Sequence, residues 1–281
     1  MQMMATYVFP GQGSQSVGMG SKLFPLFPEY VQKANAVLGY DLEALCLHDT
    51  QGLLSKTNYT QPALFVVNAL FWLQKLREDP QLPDYVAGHS LGEYNALFAA
   101  SVFDFETGLK LVQKRGELMG QAQGGGMAAI INATSEQILS AIELNHLNEL
   151  SIANFNSNNQ IVISGPEKLI KEAQNLFIQA GASLYIPLKV SGAFHSPFME
   201  EARKEFEIFL NNVTFATPQI AVIANVDAKP YIYEQIINNL SLQITHPVRW
   251  TQSIHYLRAL GEERFEELGP GKVLSGLMKN I

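Results

Sequence analysis

The segment that most restricts the fold of this chain is Gly-His-Ser-Leu-Gly at positions 88–92. It fits G-x-S-x-G, the pattern of a nucleophile elbow, in which a sharp turn between a strand and a helix presents a serine hydroxyl, here that of Ser90. An apolar run at residues 85–87 predicts the strand, and residues 91–100 have the period of the helix. A strand that leads directly into a helix is typical of a parallel α/β sheet. A tight structural turn without a catalytic role stays an open alternative, because so short a pattern is weak alone.

The rest of the chain also alternates short apolar strands with longer helices, which indicates an α/β protein. Further strands are predicted at 6–9, 220–225 and 264–268, and further helices at 62–77, 105–119, 197–210 and 250–259. Three consecutive glycines at 124–126 predict a hinge. After it, strands at 127–132, 150–156, 160–164 and 183–190 surround helices at 134–145 and 167–180. This β-α-β-β-α-β order is the ferredoxin-like arrangement.

The predicted domain organisation follows from that change of pattern. We expect a large α/β domain formed by residues 1–124 and 192–281, with a small ferredoxin-like subdomain inserted at residues 125–191. Thr134 and Gln137 are spaced as a capping box at the start of the first helix of the insert. Two units of this kind leave a cleft between them, where ligand sites tend to form.

Composition limits the classes of function open to the chain. Of its 281 residues, 47% are hydrophobic and 16% are charged, which suits a folded core rather than a disordered protein. The net charge of −7 argues against general nucleic-acid binding, which needs a basic face. A single cysteine, Cys46, excludes an internal disulfide and a thiolate metal cluster. Residues 1–10 show no signal peptide and no apolar run is long enough for a bilayer, so we expect a cytoplasmic protein that binds neither nucleic acid nor membrane.

A catalytic serine needs a base, and His195 is the strongest candidate among six histidines. It follows the predicted strand at 183–190 through a short loop, and loops at strand ends are where scaffolds present catalytic groups. His89 lies inside the elbow and is expected to point away from Ser90, because alternate residues diverge. The remaining histidines, in polar connections, before a proline or on a polar helix side, are His48, His146, His246 and His255. A histidine with a purely structural hydrogen bond stays the alternative.

Arg115 lies on an unusual side of its predicted helix. At about 100° per residue it falls within the apolar arc of residues 105–119, whereas Lys110 and Glu117 lie on the opposite side. A buried guanidinium needs a partner or a ligand, because isolated burial of charge is costly. Two interpretations stay open. One is a structural pairing with a distant carboxylate or with backbone carbonyls, and the other is a bidentate grip on a substrate carboxylate.

Gln12 follows the first predicted strand, in the turn Pro-Gly-Gln-Gly at positions 10–13. Its amide is placed to donate to an oxyanion, although four such residues alone predict only a turn. The sequence contains no metal-ligand spacing, no P-loop and no complete dinucleotide fingerprint. We therefore expect neither a metal nor a bound cofactor.

Taken in order, several segments resemble the malonyl-CoA:acyl-carrier-protein transacylase family, which includes the acyltransferases of fatty acid and polyketide synthesis. They are F-P-G-Q-G-S-Q at 9–15, Y-T-Q-P-A at 59–63, G-H-S-L-G-E-Y at 88–94, K-R-G at 114–116, G-A-F-H-S at 192–196 and G-P-G-K-V-L at 269–274. The resemblance covers nearly the whole chain. It implies a hydrolase-like core with a parallel sheet plus an inserted ferredoxin-like subdomain, in agreement with the pattern of strands and helices.

The resemblance also implies a role for each candidate residue. Ser90 would be the nucleophile and His195 its base. Gln12, with the backbone amide of Leu91, would form the oxyanion hole. Arg115 would hold the free carboxylate of a malonyl group.

Two further positions come from the same resemblance. In this family a backbone carbonyl orients the histidine, and the matching stretch at 246–250 assigns that carbonyl to Arg249, where related enzymes often carry Gln. Leu91 and Phe194 fit the type that selects malonyl. Phe194 would fill the space that an α-methyl group needs, although one methyl discriminates by only ~1–3 kcal/mol.

The implied reaction is a ping-pong transfer of malonyl from malonyl-CoA, through an ester on Ser90, to the phosphopantetheine thiol of an acyl carrier protein. The chain looks closer to discrete acyltransferases of polyketide synthesis, with a fatty-acid-synthesis enzyme as the alternative, and we expect a monomer. An acyl hydrolase of the same fold would use Ser90 and His195 without needing Arg115. A catalytically silent docking subunit is a third reading, which an intact Ser90, His195 and Gln12 disfavour.

Overall fold

The structure, a computed structural model, describes residues 5–281. Residues 1–4, on which the signal-peptide prediction partly rests, lie outside the described residues. The strands are β1 (Thr6–Phe9), β2 (Tyr85–Gly88), β3 (Gly125–Ile131), β4 (Ser151–Ser157), β5 (Gln160–Pro166), β6 (Leu184–Pro187), β7 (Ala221–Ile223) and β8 (Phe265–Glu267). Each is short and bounded by loops or helices, as an α/β alternation requires.

The helices surround two sheets. They are α1 (Pro28–Leu38), α2 (Leu42–Leu47), α3 (Thr57–Glu78), α4 (Gly92–Ala99), α5 (Phe105–Gln121), α6 (Ser135–Leu144), α7 (Glu167–Glu172), α8 (Gln174–Gln179), α9 (Glu200–Leu210), α10 (Ile236–Leu242), α11 (Trp250–Ala259) and α12 (Val273–Met278). Single 3-10 turns lie at Phe24–Leu26, Pro197–Met199 and Tyr233–Gln235.

The first sheet is parallel, with strand order β7-β2-β1-β8. Helices cover both of its faces: Phe9 of β1 belongs to the large core that includes α3 and α4, whereas Val8 packs with Trp250 of α11 on the other face. Burial on both faces explains why β1, β2 and β7 are almost wholly apolar, whereas the half-buried edge strand β8 carries Glu266 and Glu267. Phe9 pairs with Gly88, so β1 and β2 end side by side. The loops after these two strands therefore meet at one edge of the sheet, which places Gln12 beside Ser90.

The second sheet is antiparallel, with strand order β4-β5-β3-β6. Ile130 and Tyr185 face α6, α7 and α8 in a separate core, and Tyr185 stacks on Phe177 with ring centres 5.9 Å apart. Met127 and Ala129 face the opposite way, into the large core. An α/β fold with a parallel sheet and a ferredoxin-like antiparallel unit is thereby confirmed. The domain boundaries, residues 125–191 for the insert, stay a prediction.

Several elements differ from the sequence prediction. Helix α3 begins at Thr57, whereas the pattern placed its start at Pro62, and Pro62 lies inside the helix. Proline is favoured in a first turn, which drew the prediction to that position. The earlier residues are helical because α5 lies against them: a Cβ atom on Gly116 would come within 3.2 Å of the Cα atom of Asn58. Packing against α5 therefore extends the start of the helix to Thr57.

The insert shows smaller differences. The predicted helix at 167–180 is two helices, α7 and α8, separated at Ala173. There the N–H of Leu176 donates to the carbonyl of Ala173, only three residues earlier, and the following Phe177 packs in the core of the insert. Strand β6 ends at Pro187, because the N–H of Val190 turns back to the carbonyl of Leu188. The capping box of Thr134 and Gln137 is present as predicted. Over the described part of the chain, no helix is both long and apolar enough to cross a membrane.

Candidate active site

Ser90 occupies a sharp turn between β2 and α4, and its φ of +51° lies in the left-handed region. Such a conformation costs of order 1–3 kcal/mol, which the surroundings must offset. Asn225 holds the turn by donating from Nδ2 to the carbonyl of Gly88 and accepting from the Ser90 N–H, both at 2.7 Å. Neither flanking position tolerates a side chain: a Cβ on Gly88 would lie 2.0 Å from the carbonyl carbon of Gly92, and one on Gly92 would lie 2.0 Å from the Phe9 oxygen. The backbone geometry is that of a nucleophile elbow.

His195 stands beside Ser90, with its Nε2 2.8 Å from the serine Oγ. The Nδ1 atom lies 2.7 Å from the main-chain carbonyl of Gln243, so Nδ1 carries the proton and donates it, and Nε2 is left to accept the serine hydroxyl. Burial, reinforced by the charge of Arg115, lowers the pKa of His195 to about 3. The imidazole is therefore neutral at physiological pH, as a general base must be before reaction.

The prediction that the Arg249 carbonyl orients the histidine is wrong. Gln243 supplies that carbonyl, at the end of α10, where the last carbonyls of a helix lack partners within the helix. Arg249 caps the start of α11 instead: its carbonyl accepts the N–H and the Oγ of Ser253, each at 2.9 Å. Its own N–H donates to the carbonyl of Asn225 at 3.0 Å. Both main-chain groups of Arg249 are thus engaged elsewhere.

Arg115 is 1% exposed and its guanidinium reaches Ser90. Its Nη1 donates to Gln61 Oε1 at 2.8 Å, and its Nη2 donates to Gln243 Oε1 at 2.8 Å and to Ser90 Oγ at 3.1 Å. The guanidinium also lies 5.4 Å from the ring centre of Tyr94. Among the ion pairs of residues 5–281, none involves Arg115. Direct pairing with a carboxylate is therefore not what holds this cation, and burial lowers its pKa.

Gln243 also links the site to a buried acid. Its Nε2 donates to the Ser90 carbonyl at 2.9 Å and to Oε2 of Glu93. The other oxygen of Glu93 accepts from the N–H of Asn225 at 2.9 Å and from the hydroxyl of Tyr231 at 2.8 Å. Burial raises the pKa of Glu93 to about 7. The carboxyl group of Glu93 thereby holds both Gln243, whose carbonyl contacts His195, and Asn225, which holds the turn at Ser90.

Gln12 and Leu91 are placed to stabilise an oxyanion. Within residues 5–281 their main-chain N–H groups donate to no protein acceptor. The turn containing Gln12 lies against the elbow, since a Cβ on Gly11 would lie 3.6 Å from the Leu91 nitrogen. The Gln12 side chain reaches in another direction, with its Nε2 3.3 Å from Oγ1 of Thr57. Two free N–H groups at the end of a sheet suit a developing negative charge on oxygen.

These residues surround a cavity of about 140 Å³. It is lined by Gln12, Gln61, His89, Ser90, Leu91, Arg115, Met119, Met127, Asn154, Asn156, Val162, Leu188, Val190, Phe194 and His195. His89 therefore faces the same cavity as Ser90, contrary to the expectation that it would point away. Its Nε2 lies 2.8 Å from Oδ1 of Asn156, so it bridges the two sheets and is not the base of Ser90. The small volume suits a short acyl group.

Sequence reasoning missed the residues that support the site. Glu93 and Gln61 stand inside segments that carried the family resemblance, yet nothing local marks them as contacts of Gln243 or Arg115. Gln243 and Asn225 act across the fold, and a single sequence gives no signal for such pairs. In the described part of the chain, no cluster of three or more His, Cys, Asp or Glu side chains could hold a metal ion.

Comparison with known proteins places this geometry among acyl transferases. Residues 6–275 match the family described as the acyl transferase domain. The polyketide biosynthesis malonyl CoA-acyl carrier protein transacylase PksC of Bacillus subtilis is 54% identical over 279 residues, covering 99% of this chain and 97% of that protein. The solved malonyl CoA-acyl carrier protein transacylase of Burkholderia pseudomallei superposes with a TM-score of 0.96 at 49% identity, over 99% of this chain and 98% of that one. A malonyl-transacylase solved with its type II polyketide acyl-carrier protein gives a TM-score of 0.94 at 38% identity, over 99% and 93%.

Proposed function

The chain belongs to the acyl transferase domain family, and from that premise we propose that it transfers a malonyl group from malonyl-CoA to the phosphopantetheine thiol of an acyl carrier protein. The observation that carries the proposal is the contact of Ser90 Oγ with both His195 Nε2, at 2.8 Å, and Arg115 Nη2, at 3.1 Å. A serine hydroxyl, a base for its proton and a cation for a free carboxylate meet at this one atom. Malonyl, a thioester with a free carboxylate one carbon away, needs all three.

In the first half-reaction, Ser90 Oγ attacks the thioester carbon as its proton moves to Nε2 of His195. The carbonyl oxygen becomes an oxyanion that the N–H groups of Gln12 and Leu91 stabilise. When the carbon–sulfur bond breaks, the proton on Nε2 passes to the departing thiolate of coenzyme A. A malonyl ester on Ser90 remains.

The second half-reaction runs the same steps in reverse. The thiol of phosphopantetheine gives its proton to His195, and its sulfur attacks the ester carbon. The carbon–oxygen bond then breaks, and Ser90 recovers the proton. The protein's own side chains supply the base and the cation, and its main chain supplies the donors, so the proposal assigns no resident cofactor.

Arg115 separates the transferase from a hydrolase of the same fold. A carboxylate arriving in the cavity replaces the neutral acceptors that Arg115 now contacts with a charged one, which forms stronger hydrogen bonds. An enzyme that removes ordinary acyl chains has no use for a buried cation beside its nucleophile. The high identity to a polyketide transacylase over the whole chain supports a place in polyketide synthesis. We infer a monomer in the cytoplasm, consistent with one buried cysteine.

Intact mass spectrometry tests the proposal. The protein is mixed with malonyl-CoA, methylmalonyl-CoA or acetyl-CoA, and a holo-acyl carrier protein is then added. We expect a malonyl adduct that moves to the carrier, is absent in Ser90→Ala and is retained in the exposed control Ser140→Ala. Since charged hydrogen bonds contribute about 1.5–3 kcal/mol each, Arg115→Ala should lower malonyl loading at least about tenfold and spare acetyl. Equal loading of acetyl or longer chains, followed by release to water, would establish the hydrolase instead.

A further inference from the structure

Large apolar side chains form an exposed row on β6 and just beyond it. Leu184, Ile186 and Leu188 are 51%, 42% and 36% exposed. Alternate residues of a strand point to opposite faces, so these three share one face, while Tyr185 between them is buried against α7 and α8. Scattered surface leucines need no explanation, but a continuous row on an edge strand marks a contact surface. We call Leu184, Ile186 and Leu188 the β6 row.

The β6 row leads to the active site. Ile186 pairs with Ala129 of β3, and Ala129 is buried in the core that the insert shares with the parallel-sheet unit. Leu188 lines the cavity that contains Ser90, and so does Val190 two residues later. The exposed fraction falls steadily along the row toward the cavity. A partner seated on the row would therefore have its nearest atoms at the mouth of the Ser90 cavity.

Two free cations stand at the same mouth. A groove of about 390 Å³ adjoins the active-site cavity, and Val190 lines both. Lys56 and Lys189 lie along this groove, both exposed, and neither takes part in an ion pair within residues 5–281. No carboxylate of the described chain lines the groove or the cavity. On a protein of net charge −7, this is a local positive field next to the nucleophile.

We propose that the β6 row, together with Lys56 and Lys189, is the surface on which the acyl carrier protein docks. The inference rests on the proposed function, which requires a protein with a phosphopantetheine arm to reach Ser90. That arm is joined to its protein through a phosphodiester, so the partner brings negative charge to the mouth of the cavity. An acidic partner approaches an acidic enzyme productively only where the local potential is of opposite sign.

The two half-reactions allow a direct test. Loading of Ser90 from malonyl-CoA is measured by intact mass, and delivery from the malonyl-enzyme is measured with a holo-acyl carrier protein of polyketide synthesis and, separately, with free pantetheine. The variants are Lys56→Glu with Lys189→Glu, and Ile186→Ser. The matched controls are Lys110→Glu, an exposed lysine on α5, and Leu144→Ser, which removes a side chain that is 76% exposed on α6.

We expect the charge reversals to raise KM for the carrier protein about tenfold or more and to flatten its salt dependence. Ile186→Ser should raise KM to a similar extent and leave the salt dependence unchanged, because it removes no charge. Loading from malonyl-CoA and delivery to pantetheine should stay near the wild-type rates, which also shows that the variants fold. Both control variants should behave as the wild type with the carrier.

Three results would overturn the proposal. If the variants have the wild-type KM for the carrier protein, this surface does not contact the carrier. If the lysine variants lose equal activity with malonyl-CoA and with the carrier protein, the lysines bind the phosphate that both substrates contain. If the wild type is a dimer that Ile186→Ser abolishes while delivery is unchanged, the β6 row contacts a second copy of the chain. A wild type that loads malonyl but delivers it to no carrier refutes the proposed function itself, which is a different outcome from a defect confined to the variants.

Discussion

Gln243 holds Nδ1 of His195 with its main-chain carbonyl at 2.7 Å. The side chain of the same residue accepts a hydrogen bond from Arg115 and donates one to Glu93. The base and the cation that would bind the malonyl carboxylate are thus fixed by two chemically separate parts of one residue. Truncation of the side chain should affect the two functions differently.

Gln243→Ala keeps the carbonyl that orients His195 but removes the amide that holds Arg115. We expect malonyl loading to fall about tenfold, the effect of one lost hydrogen bond to a charged group, while acetyl loading falls much less. Stopped-flow loading assays with both thioesters check this. Arg249→Ala is the control, because its side chain is exposed and only its main chain caps α11. If Gln243→Ala lowered malonyl loading and acetyl loading equally, the side-chain amide of Gln243 would act through His195 rather than through Arg115.

Glu93→Gln keeps the size of a fully buried side chain but changes an acceptor into a donor where it meets Gln243 Nε2. Two buried donors would then face each other, which costs about 1–3 kcal/mol of the free energy of unfolding. We expect kcat to fall for malonyl and acetyl alike, because this carboxyl group holds Asn225 and thereby the turn at Ser90, on which both reactions depend. Urea denaturation and loading rates measure the two effects. Glu143→Gln, at an exposed position of α6, should leave both unchanged. A wild-type kcat in Glu93→Gln would show that Glu93 does not position the site.

The stability of the protein should depend on the neutral form of His195. Its pKa is lowered from an ordinary 6.5 to about 3, so the unfolded chain binds a proton between these pH values that the folded chain does not. This contribution is complete above pH 6.5 and is lost as pH falls toward 3. The slope of unfolding free energy against pH should therefore be steeper in the wild type than in His195→Gln, by at most about 1.4 kcal/mol per pH unit. Identical slopes for the wild type and His195→Gln between pH 4 and 6.5, measured by chemical denaturation, would contradict the prediction. The raised pKa of Glu93 has the opposite effect on the slope, but Glu93 is present in both proteins and its effect cancels in the comparison.

Phe194 is 5% exposed and lines the cavity next to His195. Phe194→Ala should open the space that an α-methyl group needs and raise the ratio of methylmalonyl to malonyl loading about tenfold, within the range that one methyl group is worth. Competition between the two thioesters, followed by mass spectrometry of the Ser90 adduct, gives this ratio directly. Phe198→Ala is the matched control, because that ring is 48% exposed. A ratio unchanged in Phe194→Ala would show that another group limits the cavity.

The glycines of the elbow should be irreplaceable. A Cβ on Gly92 would lie 2.0 Å from the Phe9 oxygen, so Gly92→Ala must displace either the strand or the turn. We expect the free energy of unfolding to fall by about 3 kcal/mol or more, the upper end of overpacking costs, together with loss of loading. Gly276→Ala in α12 meets no atom within 4 Å and should be neutral or slightly stabilising. Thermal denaturation compares the two, and similar melting temperatures would argue against the tight packing of the turn.

The sequence predicted those parts of the fold and site whose signals are local. The elbow at Ser90 is a run of neighbouring residues, and Arg115 was marked by the apolar arc of its own helix. Helix α1 could have been found, because Pro28 begins it and Gly39, with φ of +79°, ends it. Helix α10 contains two asparagines and no clear apolar stripe, so its pattern is weak.

The support of the base could not be predicted in the same way. The bond from His195 to Gln243 joins residues 48 positions apart and uses a main-chain carbonyl, which every residue has. No side-chain pattern identifies such an atom. Arg249 was predicted from a motif that resembles the family. In the structure, the carbonyl that contacts His195 belongs to Gln243, at the end of α10, where a helix leaves its last carbonyls without partners.

The hydrogen bond of 3.1 Å between Arg115 Nη2 and Ser90 Oγ limits the length of an acyl group that can contact both side chains. In the proposed reaction, Arg115 binds the free carboxylate of the malonyl group and Ser90 Oγ attacks its thioester carbon, so the two side chains contact opposite ends of the acyl group. An acyl group whose carboxylate is separated from its reacting carbonyl by a single carbon matches this short separation. A succinyl group, one carbon longer, would have to fold back or lose one contact. The two contacts come from residues 25 positions apart, one in the turn after β2 and one on α5, and together they set the distance between the carboxylate and the reacting carbonyl of the proposed substrate.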